Sequence, residues 1–168
     1  EDDYKIFMQR SESWKKLFDP AMGFIRAKNS DGSWVNPFDP YLSEHDEHKA
    51  MYTEGNAWQH SFFVPHDVKG LASAHGGNNL LIKKLDSLFS VSSELKGENT
   101  SPDVSGLIGQ YAHGNEPSHH IAYMYTYIGA AWKTQERVRM IIDSMYHARP
   151  DGYAGNEDCG QMSAWGVW

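Results

Sequence analysis

Asn115, Glu116, His119 and His120 fall within one short stretch that opens at Gly114. An amide, a carboxylate and two imidazoles side by side can bind a cation, orient a polar ligand or move a proton. Gly114 admits a tight or positive-φ turn, and Pro117 stiffens that turn and donates no backbone hydrogen bond. Ser118 suits a helix N-cap, because Ile121, Met124, Tyr125 and Ile128 follow with helical spacing. Asn115 and Glu116 are therefore expected on a rigid loop feeding a buried helix, a common location for binding residues. A well-capped surface turn accounts for the same residues without any function.

Two further stretches carry chemistry. Glu54 lies between Tyr52 and Trp58, and Thr53 ahead of it suits a helix N-cap. A carboxylate partly desolvated by those rings would act as a general acid. A carboxylate in the first turn of a helix is also favoured by the helix dipole, which acts in the opposite direction. Downstream, Asn156, Glu157 and Asp158 stand between Gly155 and Gly160, just ahead of a helical pattern. They read equally as acidic N-cap residues and as oxygen ligands or a water-activating base. Zinc fits poorly. His113, Glu116, His119 and His120 lack the H-E-x-x-H spacing, Pro117 breaks the helical register, and His45 and His48 have no third ligand nearby.

The surrounding elements read as helices. An amphipathic helix is expected from about Asp3 to Phe18, with Tyr4, Phe7, Met8, Ser11, Trp14 and Phe18 on one stripe. Ala21 to Tyr41 is irregular but carries Phe24, Trp34, Phe38 and Tyr41, so it reads as a structured loop over a core or cleft. Ser43 to Lys49 is polar and expected to be exposed. Helices follow from about Thr53 to Pro65, from Asp67 to Ala74, and from an Asn78 cap with Leu81, Leu85, Leu88 and Phe89 as its apolar face. After the polar loop Ser92 to Ser105 come the helix beyond Ser118 and one from Trp132 to Ala148, with Val138, Ile141, Ile142 and Met145 inward. A last helix begins near Cys159 or Gly160 and runs on at Trp168. With no strand alternation, the class is all-α, built of helical hairpins with functional loops between them. The pattern stops inside a helix without a C-cap signal, which suggests a cropped domain.

Composition narrows the function. Twenty-two acidic residues against 15 basic ones give a net charge of -7, which argues against nucleic acid as a partner. Aromatics at 13% serve a core or a carbohydrate-stacking surface equally well. The single cysteine, Cys159, leaves no intrachain disulfide. No apolar run approaches the ~18 residues of a membrane helix, so no membrane insertion is expected. No signal peptide is visible, and the sequence starts without Met, which is compatible with processing or trimming.

Taken together, Tyr52–Gln59, Val64–Asp67, Gly114–His120 and Gly155–Trp165 resemble, in order, the signature blocks of glycoside hydrolase family 92, the calcium-dependent exo-α-mannosidases. Phe18–Pro20 and Gly32–Pro40 resemble that family upstream, so the likeness covers nearly the whole chain. It implies part of a C-terminal (α/α)6 toroid, with an N-terminal β-sandwich domain and the end of the barrel absent. It also implies a secreted, periplasmic or cell-surface bacterial enzyme acting on terminal α-mannosides of glycans, α-1,2 linkages first, including N-glycan degradation. By the resemblance Glu54 is the general acid and Asp158 the general base of an inverting reaction. Asn156 stands where some members carry a second aspartate. Asn115 and Glu116, with Asp158, are the expected Ca2+ ligands. Trp58, His113, Asn115, Glu116 and His119 are the expected substrate contacts, with His113 and Gly114 bordering the leaving-group sugar. A non-catalytic glycan-binding or structural helical module is the competing reading. Retention of both an acid and a base argues for the enzyme.

Overall fold

The computed structural model describes residues 1–46 and 48–167. Helices dominate it. α1 is Asp2–Ser11, α2 Ala57–His60, α3 Val68–Ala74, α4 Asn78–Leu88, α5 Met124–Tyr127, α6 Ala131–Met145 and α7 Gln161–Val167. Two-residue strands form two antiparallel hairpins. One joins β1, Phe18–Asp19, to β2, Phe24–Ile25, and the other joins β3, Leu107–Ile108, to β4, Tyr111–Ala112. No helix of the described residues is long and apolar enough to cross a membrane.

The core forms where helical spacing and long-range packing agree. Leu81, Leu85 and Leu88 line one face of α4 and are fully buried, each worth about 1.5–3 kcal/mol in transfer terms. Asp67 caps α3 by accepting a hydrogen bond from Gly70 N at 2.8 Å. Gly76 and Gly77 then turn the chain into α4, and Gly77 rather than Asn78 is the N-cap. Asn78 instead donates to Ile128 O at 3.2 Å. α6 packs on α5 and on the 3-10 turn Ile121–Tyr123. Its Lys133 and Arg137 reach Asp86 on α4 at 2.9 and 3.5 Å.

Several expectations are corrected by the structure. The first helix stops at Ser11, and a 3-10 turn, Ser13–Lys16, leads into β1. Tyr4, Phe7 and Met8 are exposed, so their stripe is not covered within the described residues. The helix expected after Ser118 is instead two 3-10 turns, Glu116–Ser118 and Ile121–Tyr123, followed by the single turn α5. The cap is Asn115, with Pro117 inside the first 3-10 turn. In the segment expected to be exposed, Ser43 and Glu44 are buried. Ser43 N donates to Lys96 O at 2.8 Å and His45 N to Asn99 O at 2.7 Å. Glu47 of that segment, and Trp168 at the end of the last helix, lie outside the described residues.

The aromatic-rich stretch before them is ordered around Arg26. Its guanidinium bonds Asp19 Oδ2 at 2.6 Å, Val35 O at 3.0 Å and Asn36 Oδ1 at 3.1 Å. It also lies 4.3 Å from the centroid of the Phe38 ring. Asp19 further accepts from the backbone of Ala21 and Met22. Burial pushes its carboxyl up, but these bonds outweigh burial and hold it below its ordinary value.

Candidate active site

Glu54 sits in a turn, ahead of α2 rather than within its first turn. The cap is Asn56, not Thr53. Asn56 Oδ1 accepts from Trp58 N at 3.0 Å, and Gln59 Oε1 accepts from Asn56 N at 2.7 Å, a reciprocal capping box. These two amides are held by Gln110, which is fully buried between β3 and β4. Asn56 Nδ2 donates to Gln110 Oε1 at 2.8 Å, and Gln59 Nε2 donates to Gln110 O at 2.7 Å. Gln110 Nε2 spans Ser92 O and Glu94 O at 2.7 and 3.0 Å. The turn bearing Glu54 is thus tied to a hairpin some 50 residues away.

Asn115 ties it a second time. Its Nδ2 donates to Glu54 O at 2.9 Å, while its Oδ1 accepts from Glu116 N at 3.2 Å. The Gly114–His120 stretch is therefore in contact with the Glu54 turn. It also meets the Asp158 loop. Gly155 lies so close to Gly114 that a Cβ on Gly155 would stand 2.4 Å from Gly114 O. Asn156 Nδ2 reaches Asp103 Oδ1 at 3.3 Å. Asp158 then opens the 3-10 turn Asp158–Gly160, which runs directly into α7.

The backbone marks the same two carboxylates. Among the described residues, the only non-glycine positions with positive φ are Glu54 at 50°, Asp158 at 40° and Cys159 at 60°. Such positions cost about 1–3 kcal/mol each, persist where the surroundings over-determine them, and cluster at functional sites. The carboxylates of Glu54, Glu116 and Asp158 make no hydrogen bond or ion pair among the described residues. By contrast Asp19, Glu44, Asp67 and Asp86 are bound within the fold. Glu116 and Asp158 are exposed and Glu54 is half-buried. A small pocket of about 140 Å³ is lined by Glu54, Glu44, His45 and Tyr52. A wider groove of about 550 Å³ runs along Ile25, Lys28, Tyr52, His60 and Phe63, and Glu54 does not line it.

The remaining expected contacts are placed differently. Trp58 is in the core, edge-on to Phe24 at 4.9 Å and covered by Lys84 at 4.7 Å. His113 is fully buried, with Nδ1 2.9 Å from Tyr111 Oη and Nε2 2.9 Å from Tyr146 Oη. Burial, with His119 beside it, lowers its pKa to about 3, so the ring is neutral. His119 is half-buried, donates to His113 O at 2.8 Å and accepts Trp165 Nε1 on its carbonyl at 3.0 Å. As placed here, His113 presents no surface to a sugar and Trp58 very little. Sequence reasoning missed Gln110, Tyr111 and Tyr146. The signal available for Tyr111 was its place two residues before His113, in β4.

Glycoside hydrolases work with a pair of carboxyl groups flanking the scissile bond, and carboxylates without partners on adjoining loops are available for such a role. The model of the glycosyl hydrolase family 92 catalytic domain matches residues 1–168, and the chain belongs to that family. Two solved structures from Bacteroides thetaiotaomicron are similar over 99% of this chain. A family 92 α-mannosidase in complex with mannoimidazole is 42% identical with a TM-score of 0.87, and an inverting family 92 mannosidase is 34% identical with a TM-score of 0.76. A protein of Arthroderma benhamiae described as an uncharacterized secreted glycosidase is 26% identical over 99% of the chain. The chain spans 22% of the first and third of these relatives and 23% of the second.

Proposed function

We propose that the protein to which this chain belongs is an exo-acting, inverting α-mannosidase that removes terminal mannose from glycans. The coincidence of positive φ with the two candidate catalytic carboxylates, Glu54 and Asp158, carries this reading. Glu54 protonates the departing glycosidic oxygen. Asp158 removes a proton from a water that attacks the anomeric carbon from the opposite face, so no covalent intermediate forms. An inverting pair needs about 6.5–9.5 Å between carboxyls, leaving room for that water. Asn115 fixes the acid's turn through Glu54 O, and the Gly114–Gly155 contact sets the base's loop against it.

The donor set suits a calcium ion. Glu116 and Asp158 offer unpaired carboxylate oxygens, and Asn115 Oδ1 keeps a second lone pair. Among the described residues no three side chains of His, Cys, Asp or Glu gather as a metal group. A cation here would therefore also take oxygens from water and from the adjacent O2 and O3 of mannose. When bound, Ca2+ would grip those two hydroxyls and favour the flattened ring of the oxocarbenium-like transition state.

This chain would supply part of an (α/α)6 toroid, completed by the rest of the barrel and an N-terminal β-sandwich domain, in a secreted, periplasmic or cell-surface protein. Hydrolysis of an aryl α-mannoside by the full-length protein tests the activity. Turnover in calcium supports it, and no turnover of any α-mannoside overturns it. Mannobioses linked α-1,2, α-1,3, α-1,4 and α-1,6, compared side by side, test the expectation that α-1,2 is cleaved fastest.

A further inference from the structure

The bonds around His113 admit one arrangement of protons. Met162 O can only accept, so the Tyr146 hydroxyl donates to it at 3.0 Å. The Tyr146 oxygen must then accept from His113, which places the imidazole proton on Nε2. His113 Nδ1 is left as an acceptor for the Tyr111 hydroxyl at 2.9 Å. Every polar atom of the relay is used; Tyr111, His113 and Met162 are fully buried and Tyr146 is half-buried, and an unmade bond at a buried atom costs about 1–3 kcal/mol.

The relay ends where the base begins. Met162 is the second residue of α7, and α7 follows directly from the turn that opens at Asp158. One turn along, the Trp165 ring stacks on Tyr146 with planes 7° apart and meets His113 edge-on at 4.4 Å. The backbone at Asp158 and Cys159 is left-handed and needs such a hold. At its other end the relay reaches β4 and His113, two residues before Asn115, whose amide holds Glu54 O.

We propose that His113, through Tyr146 and Met162, is a positioning residue that fixes the Asp158 turn against the loop holding Glu54. This rests on the assignment of Asp158 as base. Tyr146→Phe removes the relay hydroxyl and keeps the ring that stacks on Trp165. His113→Leu removes both bonds, and His113→Gln keeps one donor and one acceptor.

The test uses the full-length protein with aryl α-mannosides of good and poor leaving group. Tyr146→Phe and His113→Leu are expected to lower kcat by about 10- to 100-fold on both substrates, with KM within about twofold and His113→Gln recovering most of the loss. A loss confined to poor leaving groups would place the relay on the acid side and overturn the proposal. So would unchanged kcat with reduced thermal stability alone, the signature of a purely structural relay. Hydrogen exchange gives a readout independent of turnover. Faster exchange in Tyr146→Phe confined to residues 156–163 supports the proposal even if the assigned activity fails, and unchanged or uniformly raised exchange overturns it.

Discussion

Gly155→Ala probes the contact that sets the loop of Asp158, the proposed base, against the rest of the site. A Cβ there would lie 2.4 Å from Gly114 O, 2.6 Å from its Cα and 2.9 Å from its carbonyl carbon. Ordinary contact begins near 3.4 Å, so the two loops must part by about 1 Å. Gly155 also has φ 74°, where an L-residue costs about 1–2 kcal/mol. Forcing a well-packed contact apart adds about 1–3 kcal/mol, for a total of about 2–5 kcal/mol. A displacement of ~1 Å at a catalytic group costs on the order of 100-fold in rate, equal to about 2.7 kcal/mol of barrier.

Gly32→Ala is the control. Gly32 has φ 87°, and a methyl added there would meet nothing within 4 Å, so it bears the backbone cost without the clash. Urea unfolding and kcat on an aryl α-mannoside, both with the full-length protein, read the two effects. Gly155→Ala is expected to lose both stability and about 100-fold in kcat, and Gly32→Ala only stability. Wild-type kcat in Gly155→Ala would refute the role given to this contact.

Other outcomes follow from the same geometry. Glu54→Gln is expected to lose most turnover of poor leaving groups and to be partly rescued by good ones, which need little protonation, whereas Asp158→Asn is not rescued; equal rescue of both would reverse or void the roles. Chelation of calcium is expected to abolish activity and added Ca2+ to restore it, and full turnover in chelator would remove the metal from the mechanism. Asp19 is held below its ordinary value, so its stabilisation is fully present above the unfolded value near ~3.9 and is lost as pH falls through the lower folded value. Urea midpoints at pH 7 and pH 3 should therefore differ more in the wild type than in Asp19→Asn; an equal difference would show that the Asp19–Arg26 pair does not contribute to acid sensitivity.

Local pattern made some of this legible. The Leu81, Leu85 and Leu88 stripe, the Asp67 cap and the start of α7 near Cys159 all depend on neighbours within a turn or two. The three stretches proposed to carry the chemistry are each short and continuous, so local reading could single them out. What eluded local reading depends on distant partners. Thr53 and Asn56 are both good caps, and the choice falls to Asn56 because Gln110 holds its side chain. Ser43 and Glu44 are polar yet buried, because Lys96 and Asn99 pair with the backbone of this segment. Periodicity identified the apolar face of α1 without saying whether anything in the chain covers it. His113 carries the chemistry of a ligand-binding residue, and only its two tyrosine partners show that its ring is fully engaged.

The configuration of the first sugar released tests the acid–base pair most directly. Full-length protein with calcium and an aryl α-mannoside, followed by proton NMR from the first minutes, distinguishes the two anomers before they equilibrate. Glu54 as acid and Asp158 as base, on opposite faces of the ring, predict β-mannose first. Release of α-mannose first would require a carboxylate nucleophile and contradict the assignment.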